Sequence, residues 1–245
     1  MHLGILQCDS VIDHLQAQFG DYHDMFRTLL LRVDPQLSFQ AYSLPDDDFP
    51  DDLRACDAWL FTGSAYGVYD DEPWIRRAEN LVRRLHVEQR PTVGICFGHQ
   101  LIAQALGGRV EKSDLGWGVG VHTTQLIAQD RLWMQPRAEA LSLIVNHQDQ
   151  VLELPVDARR LAGHQFCPNS MFEVGSHILT FQGHPEFTPA FSRALLALRR
   201  ERLGEQSFQQ GNHSLAQPTD DLVAARWIRQ FLRRAHRGCH AASDL

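Results

Sequence analysis

The chain has 245 residues, of which 44% are hydrophobic and 22% charged, so it is long enough for one large domain or two small ones with a sizeable core. A formal net charge of -7 argues against a dedicated nucleic-acid-binding protein, because such proteins carry a basic face, and favours a small-molecule substrate. The five cysteines are odd in number and form no C-x-x-C pair, which is not the pattern of a disulfide framework or a zinc knuckle. With no signal-peptide pattern and no apolar run of bilayer length, we expect a cytoplasmic protein that binds neither nucleic acid nor membrane.

The first part of the chain alternates between strand-like and helix-like patterns. Short apolar runs predict strands, and apolar residues that recur every three or four positions predict helices. The predicted strands span residues 2–7, 37–42, 57–62 and 91–95, and the predicted helices span residues 20–33 and 73–89. This alternation predicts an α/β fold with a mainly parallel sheet that is covered by helices on both faces.

The second part of the chain has a different sequence pattern. From residue 116 to residue 182, short β-rich pieces follow one another and predict an antiparallel or mixed extension of the sheet. Thr188 and Pro189 suit the first positions of a helix that continues to residue 200, with Gly204 as its stop. The arginine pair at 199–200 is expected on an exposed face of that helix. We expect a polar loop over residues 205–218, a last helix over residues 219–238 and a frayed tail over residues 240–245.

The run G-I-C-F-G at residues 94–98 lies where a strand-like pattern gives way to a helix-like one. It has the spacing of a nucleophile elbow, in which two glycines let the strand and the helix approach each other at a strained turn. Cys96 would lie at a helix N-terminus, where the dipole and free N–H groups favour a thiolate, and the N–H of Phe97 would bind an oxyanion. A buried, unreactive cysteine in a tight turn is the alternative, and this run alone does not decide between the two.

A second motif, Q-G-H-P-E-F at residues 182–187, favours the catalytic interpretation. His184 and Glu186 are two positions apart, so in an extended backbone they project to the same side, and Pro185 fixes the φ angle between them. Glu186 would hold the imidazole of His184 in one tautomer while the other ring nitrogen faces Cys96, as nucleophilic catalysis requires. The alternative is that the His-Pro-Glu sequence forms an ordinary surface turn. In that case this motif and the G-I-C-F-G run would both occur in the chain by coincidence.

The segments PTVGICFGHQLIAQALGG and FQGHPEF together resemble the class I glutamine amidotransferase domain, the cysteine-triad glutaminase module. The resemblance extends over roughly residues 3–190. It implies a flavodoxin-like three-layer αβα fold in a single domain of residues 1–245, with a C-terminal helical extension at about residues 190–240. It also implies that a triad of Cys96, His184 and Glu186 cleaves the γ-carboxamide of glutamine through a γ-glutamyl thioester, releasing ammonia and then glutamate.

The same resemblance assigns further residues to the substrate. Gly63, in the T-G-S loop at residues 62–64, would supply the second oxyanion donor opposite Phe97. Residues expected to bind the substrate are Ser64, Gln100, Asn146, His147 and Asp149. Considered without the resemblance, the T-G-S loop is also consistent with an ordinary βα turn, and Gln100 with a structural hydrogen bond on a helix face.

Departures from the synthase-linked members leave the substrate open. Gln148 stands where many of those members have glycine, and it and the acidic segment at residues 69–75 are more similar to stand-alone relatives, including γ-glutamyl peptidases. No ATP-pyrophosphatase motif such as S-G-G-x-D-S occurs, so a synthase that accepts ammonia would be a separate chain.

Three functions follow as alternatives. The first, which the resemblance favours, is a glutaminase that releases ammonia for a separate acceptor enzyme, and the alternative to it is a γ-glutamyl peptidase that acts on γ-glutamyl peptides or conjugates. The third is a non-catalytic binding module, which the intact triad disfavours. No metal and no cofactor is expected. The residues beyond the triad would cover the active-site mouth or form a contact in a homo-oligomer.

Overall fold

A nine-stranded mixed sheet runs through the computed structural model, which describes residues 1–128 and 130–243. The strands in chain order are β1 His2–Gln7, β2 Ser38–Ser43, β3 Ala58–Phe61, β4 Thr92–Ile95, β5 Arg109–Lys112, β6 Gly118–Leu126, β7 Ala140–His147, β8 Asp149–Glu153, β9 Ala158–Gly163, β10 Met171–Val174 and β11 Ile178–Phe181. Strands β5 and β8 form a separate antiparallel pair, and the other strands belong to the large sheet.

The large sheet has a parallel part and an antiparallel part. Its strand order is β2-β1-β3-β4-β11-β10-β9-β6-β7. The first five strands of this order pair in parallel, and the remaining pairings are antiparallel. The predicted combination of a parallel α/β sheet with a β-rich extension is therefore confirmed.

Helices cover both faces of the parallel part. They are α1 Asp13–Phe19, α2 Tyr22–Leu31, α3 Pro73–Val87, α4 Phe97–Ala105, α5 Pro189–Leu198, α6 Arg200–Leu203, α7 Glu205–Ser214 and α8 Asp221–Ser243. Phe26 of α2 and Trp227 of α8 are buried in the core on one face, and Ile75 of α3 and Phe97 of α4 are buried in the core on the other. The carboxyl ends of parallel strands thus meet at one edge of the sheet, where α/β proteins bind their ligands.

The first C-terminal helix, α5, begins as predicted, because the side chain of Thr188 accepts a hydrogen bond from the backbone N–H of Phe191 and Pro189 occupies the first turn. Gly204, at a φ of 78°, follows α6 and precedes α7. The last predicted helix corresponds to α8, which continues to Ser243 where a frayed tail was expected. Residues 244 and 245 of that tail lie outside the described residues.

The expectation of a polar loop over residues 205–218 is wrong, because α7 occupies its first ten residues. Tertiary contacts with β6 outweigh the polar composition of this helix. A Cβ atom on Gly211 would lie 2.8 Å from Val119 Cγ2, so only glycine allows this close approach. The hydroxyl of Ser214 accepts a hydrogen bond from the backbone N–H of Val121 at 2.9 Å, which ties the helix to the strand.

Candidate active site

Cys96 forms the turn between β4 and α4. Its φ of 53° and ψ of -100° lie in a region that non-glycine residues rarely adopt, as expected of a strained strand-to-helix turn. The flanking glycines are sterically required: a Cβ on Gly94 would lie 2.5 Å from Gly98 O, and one on Gly98 would lie 2.6 Å from Phe61 Cβ. The close packing of strand and helix therefore positions the thiol at the N-terminus of α4 and at the carboxyl end of the sheet.

His184 and Glu186 follow β11, the strand next to β4. The backbone N–H of His184 donates to Ile144 O at 2.8 Å, which holds this segment against β7. His184 Nδ1 lies 2.8 Å from Glu186 Oε1, so the carboxylate accepts the Nδ1 proton and leaves Nε2 as the nitrogen available to Cys96. The imidazole stacks on the ring of Phe187, with the centroids 3.9 Å apart and an angle of 6° between the planes. Glu186 thus holds one edge of the imidazole and Phe187 holds one face.

The charges around His184 favour its protonated form. Burial alone would lower the pKa of this imidazole. The neighbouring Cys96 thiolate, followed by the Glu186 carboxylate, outweighs burial and raises the pKa of His184 above its ordinary value. Cys96 and His184 also line one small cavity of about 10 Å³. The three residues predicted from the sequence are thus brought together, in an arrangement that can hold a thiolate–imidazolium pair.

Gln182 is a neighbour of the thiol that the sequence reasoning missed. Its side-chain Nε2 donates to Cys96 Sγ at 3.6 Å, and its Oε1 accepts from Gln100 Nε2 at 3.1 Å. Gln182 lies two residues before His184, so the same alternation that aligns His184 with Glu186 was the available signal. A buried amide that donates to sulfur stabilises the thiolate.

Gly63 lies directly opposite the thiol. A Cβ at this position would lie 2.9 Å from His184 Cε1 and 3.6 Å from Cys96 Cβ, so a side chain would collide with the imidazole. The hydroxyl of Thr62 donates to Gly63 O at 3.0 Å and accepts from the backbone N–H of Cys8 at 2.9 Å, which fixes the peptide that precedes the turn. The two predicted oxyanion donors, the N–H groups of Gly63 and Phe97, thus belong to residues that flank Cys96.

A cavity of about 260 Å³ opens beside Cys96. Its volume lies near the lower end of ordinary ligand pockets, which is about 300 Å³. The residues lining it include every predicted substrate-binding residue, namely Ser64, Gln100, Asn146, His147 and Asp149. The sequence-predicted set is therefore assembled around one space, although these residues come from separate segments of the chain.

The hydrogen bonds of these residues determine which polar atoms are left for a ligand. Gln100 Nε2 donates to Asp149 O at 2.8 Å and to Gln182, so this nitrogen makes structural hydrogen bonds, which was the alternative to a substrate contact. The Oε1 atom of Gln100 is left for a ligand. His147 Nδ1 donates to the same carbonyl at 3.0 Å. Burial lowers the pKa of His147 to about 3, so this imidazole is neutral at pH 7. A neutral ring and an amide oxygen can accept hydrogen bonds from an ammonium group.

Tyr69 and Asp149 form the polar rim on one side of the cavity. The Tyr69 hydroxyl donates to Asp149 Oδ2 at 3.0 Å. Burial raises the pKa of the Asp149 carboxyl, and the hydrogen bond from Tyr69 together with the charge of Lys112 opposes that rise. Tyr69 belongs to the acidic segment that the sequence singled out, but its contact with Asp149 spans eighty residues of chain and was not predicted.

In the part of the chain that the structure describes, no three histidine, cysteine or acidic side chains cluster as a metal site would require. None of the described helices is long and apolar enough to cross a membrane. The expectations of no metal, no cofactor and no membrane contact stay predictions.

The family model for class-I glutamine amidotransferases matches residues 21–197, which is most of the chain and includes the turn at Cys96 and the His184 segment. The chain belongs to the class-I glutamine amidotransferase family. The resemblance inferred from the two motifs is therefore confirmed, as is the expectation of an enzyme of the glutaminase-type hydrolases.

Relatives of this amidotransferase-family chain include a γ-glutamyl peptidase and a GMP synthase subunit. It is 29% identical to γ-glutamyl peptidase 3 of Arabidopsis thaliana over 243 residues, which cover 94% of this chain and 95% of the relative. It is also 29% identical to the glutamine-hydrolyzing GMP synthase subunit of Sulfolobus acidocaldarius, with 66% of this chain and 84% of that protein covered.

The solved structure of a glutamine amidotransferase from Thermotoga maritima has the same fold. It aligns with a TM-score of 0.73 at 18% identity, covering 96% of this chain and 99% of that chain. The predicted flavodoxin-like fold class is thereby confirmed.

Proposed function

We propose that this protein is a cysteine hydrolase that cleaves the γ-glutamyl amide bond through a γ-glutamyl thioester on Cys96. The observation that carries the proposal is the convergence of the strained Cys96 turn with a buried imidazole whose Nδ1 lies 2.8 Å from Glu186. Nucleophile, base and orienting carboxylate are the minimum that acyl transfer by cysteine needs, and all three are present in the required order.

In the acylation step, the Cys96 thiolate attacks the γ-carbonyl carbon of the substrate. The carbonyl oxygen becomes an oxyanion, which the backbone N–H groups of Gly63 and Phe97 stabilise. The His184 imidazolium gives its Nε2 proton to the departing nitrogen, the C–N bond breaks, and ammonia or an amine leaves. Glu186 retains the hydrogen bond from Nδ1 throughout, which keeps the same tautomer available.

Deacylation reverses the role of the imidazole. Neutral His184 removes a proton from water, and the resulting hydroxide attacks the thioester carbonyl. The C–S bond breaks, glutamate is released, and Cys96 returns to the thiolate paired with protonated His184. The small cavity of about 10 Å³ beside these residues is close to the volume that one water molecule needs, roughly 10–15 Å³.

The other end of the γ-glutamyl group lies in the larger cavity in this proposal. Its α-ammonium group binds the Asp149 carboxylate and donates hydrogen bonds to Gln100 Oε1 and the neutral His147 ring, while Ser64 and Asn146 complete the wall. Each of these side chains offers an acceptor, which suits a cation better than an anion.

A γ-glutamyl peptide or conjugate is the substrate that the observations favour. The likeness to γ-glutamyl peptidase 3 extends over 94% of this chain. The cavity beside Cys96 also reaches the helices that follow His184, since Arg199 and Arg202 line it. Such a space can hold a leaving group larger than ammonia, and hydrolysis of this kind needs no partner chain.

Glutamine, with ammonia passed to a separate synthase, is the second candidate. It is supported by the likeness to the GMP synthase protein of Sulfolobus acidocaldarius, whose name describes it as glutamine-hydrolyzing. This candidate predicts strong ammonia release from glutamine and a partner chain. We further propose that residues 1–245 act as one domain in the cytoplasm.

The discriminating experiment incubates the purified protein with glutamine, glutathione and γ-glutamyl dipeptides. Released ammonia is measured against released amine, with the Cys96→Ser variant as the control. Faster amine release from the peptides supports the peptidase, whereas strong ammonia release from glutamine alone supports the glutaminase. Equal product formation by Cys96→Ser would refute the thioester mechanism for both.

A further inference from the structure

Three cationic side chains converge on the cavity beside Cys96. They are Lys112, which is the only lysine of the sequence, and the arginines Arg199 and Arg202. Arg199 is half-buried, where the sequence pattern predicted an exposed helix face for it. In a chain with a net charge of -7, such a group of cations around one cavity creates a local positive potential that favours an anionic ligand.

These cations differ from the neighbouring arginine in their partners. Arg200, between the two cavity arginines, forms a two-pronged ion pair with Glu205 at 2.7 Å on the surface. Among the described residues, neither Arg199, Arg202 nor Lys112 has a carboxylate within ion-pair distance. Arg199 Nη1 donates to Asn146 Oδ1 at 3.3 Å, and the guanidinium of Arg202 lies 4.8 Å from the centre of the Trp117 ring. Burial raises the pKa of Asp9 and of Asp149; the charge of Arg199 opposes the first rise and the charges of Lys112 and Arg202 oppose the second, but in the described part of the chain none of the three cations forms an ion pair with either carboxylate.

The acidic residues of the cavity already have partners. Asp149 accepts from Tyr69, and Asp70 accepts from the backbone N–H of Gly67 at 2.8 Å. Lys112 lies opposite Asp149 in the β5–β8 register, next to the residue to which the proposed function assigns the α-ammonium group, and we assign the α-carboxylate of the γ-glutamyl group to this lysine. One cation suffices for that carboxylate, so the two arginines are available for a second anionic group.

Arg199 lies beside both cavities of the site. It lines the large cavity and also the small one that contains His184, the residue that protonates the departing nitrogen in the proposed mechanism. The stacking on Trp117 holds Arg202 at the same mouth. A guanidinium binds a carboxylate through two parallel hydrogen bonds, so a pair of arginines selects for that group strongly.

We propose that Arg199 and Arg202 bind a carboxylate on the leaving group, and that the preferred substrates are γ-glutamyl peptides that end in a free carboxylate. This inference rests on the proposed hydrolysis at Cys96, and it assigns substrate selection to the helices that follow the His184 segment. Glutamine, whose leaving group is ammonia, cannot use this contact.

The test compares kcat/KM for γ-glutamyl-alanine and for γ-glutamyl-alanine amide, which differ only in the terminal carboxylate. We expect the wild-type protein to prefer the free acid by about tenfold or more, because the carboxylate accepts charge-assisted hydrogen bonds from the guanidinium groups that the neutral amide accepts only weakly. In Arg199→Gln and Arg202→Gln the preference falls, and in the double variant it falls to about threefold or less. Arg200→Gln is the matched control, because its guanidinium pairs with Glu205, and it keeps the wild-type preference.

The substrate ratio distinguishes selection from general damage, since misfolding lowers the turnover of both compounds alike. A measurement on the wild-type protein alone provides a second readout: free alanine inhibits more strongly than alanine amide if the carboxylate subsite exists. Equal kcat/KM for the acid and the amide in the wild-type protein, or an unchanged preference in the double variant, would overturn the inference. Failure of the underlying mechanism looks different, as the absence of turnover of every γ-glutamyl compound or as full turnover by Cys96→Ser.

Discussion

The two sides of the candidate site are built in different ways. The reacting side, defined by Cys96, Gln182, His184 and Glu186, is buried and closely hydrogen-bonded, and its residues follow the ends of two central strands. The recognising side, defined by Tyr69, Lys112, Asp149, Arg199 and Arg202, is more exposed and comes from loops, the β5–β8 pair and the C-terminal helices.

This difference indicates a division of labour. A rigid reacting side fixes the bond that is broken, because preorganised groups lose little free energy on reaching the transition state. A recognising side on peripheral elements can change without disturbing the triad, as expected for a fold that supports several substrates. Substitutions on the reacting side should therefore lower kcat, and those on the recognising side should raise KM or alter selectivity.

The largest expected effect is the loss of activity in Cys96→Ala. Without the nucleophile no thioester forms, so we expect kcat to fall by about 10³-fold or more, as measured by amine and ammonia release. Cys56→Ala is the matched control, because Cys56 is equally buried but packs near Trp59, away from the site. Retention of more than about a tenth of the activity in Cys96→Ala, with native circular dichroism, would contradict the assignment of the reacting side.

A smaller loss is expected for Glu186→Gln. The amide keeps the shape of the side chain but removes the charge that helps to raise the pKa of His184, and it disturbs the tautomer. We expect kcat to fall by about 10²-fold or more with little change in substrate binding, measured by steady-state kinetics. A change confined to KM would assign Glu186 to the recognising side instead.

Gln182→Leu tests whether the reacting side extends beyond the triad. The substitution removes the donor 3.6 Å from Cys96 Sγ, so the thiolate loses one hydrogen bond. We expect about a tenfold loss of kcat and a shift of the thiolate's alkylation profile toward higher pH. An unchanged alkylation profile would show that Gln182 only supports Gln100.

Tyr69→Phe probes the recognising side by the smallest change available there. It removes the hydroxyl that donates to Asp149 Oδ2 and leaves the ring in place. We expect KM to rise about two- to tenfold while kcat stays within about twofold, because one hydrogen bond near the α-ammonium group is lost. A fall in kcat equal to that of Gln182→Leu would contradict the division between the two sides.

The pH dependence of stability should also show that the pKa of a buried histidine outside the reacting side differs from that of His184 within it. Burial lowers the pKa of His99 to about 3, whereas the charges around His184 raise its pKa. Because the folded pKa of His99 is below the unfolded value of about 6.5, its contribution to stability is lost as pH falls from there toward 3. We expect His99 to account for about 1 kcal/mol of the stability lost between about pH 7 and pH 5.5.

Urea denaturation of the wild-type protein and of His99→Gln at both pH values measures this contribution. The variant should show a smaller loss of unfolding free energy than the wild-type protein over the same interval. An identical loss in the two proteins would mean that His99 is not neutral in the folded state.

The sequence predicted the triad of the reacting side, though not Gln182, and the parallel part of the sheet because their signals are local. Gly94, Cys96 and Gly98 specify one turn, and His184 and Glu186 belong to one extended segment, so short-range geometry suffices. The resemblance to a family then supplied the second oxyanion donor, Gly63, and the substrate residues, whose roles stay predictions.

The recognising side could not be predicted in the same way. Tyr69 meets Asp149, and Arg199 meets Asn146, only after distant segments have folded against each other. The helix at Glu205–Ser214 was missed for a related reason, since its polar sequence is stabilised by contacts with β6 that no local pattern records. Long-range packing, rather than propensity, determines these features.

Trapping the acyl-enzyme tests directly whether Cys96 is the nucleophile. The protein is mixed with excess glutamine or γ-glutamyl-alanine, quenched in acid during turnover, digested and examined by mass spectrometry. We predict a γ-glutamyl adduct on the peptide that contains Cys96, accompanied by a burst of amine or ammonia equal to one equivalent of enzyme. Turnover without any adduct, or an adduct on Cys8, Cys56 or Cys167 instead, would contradict the claim that Cys96 is the nucleophile.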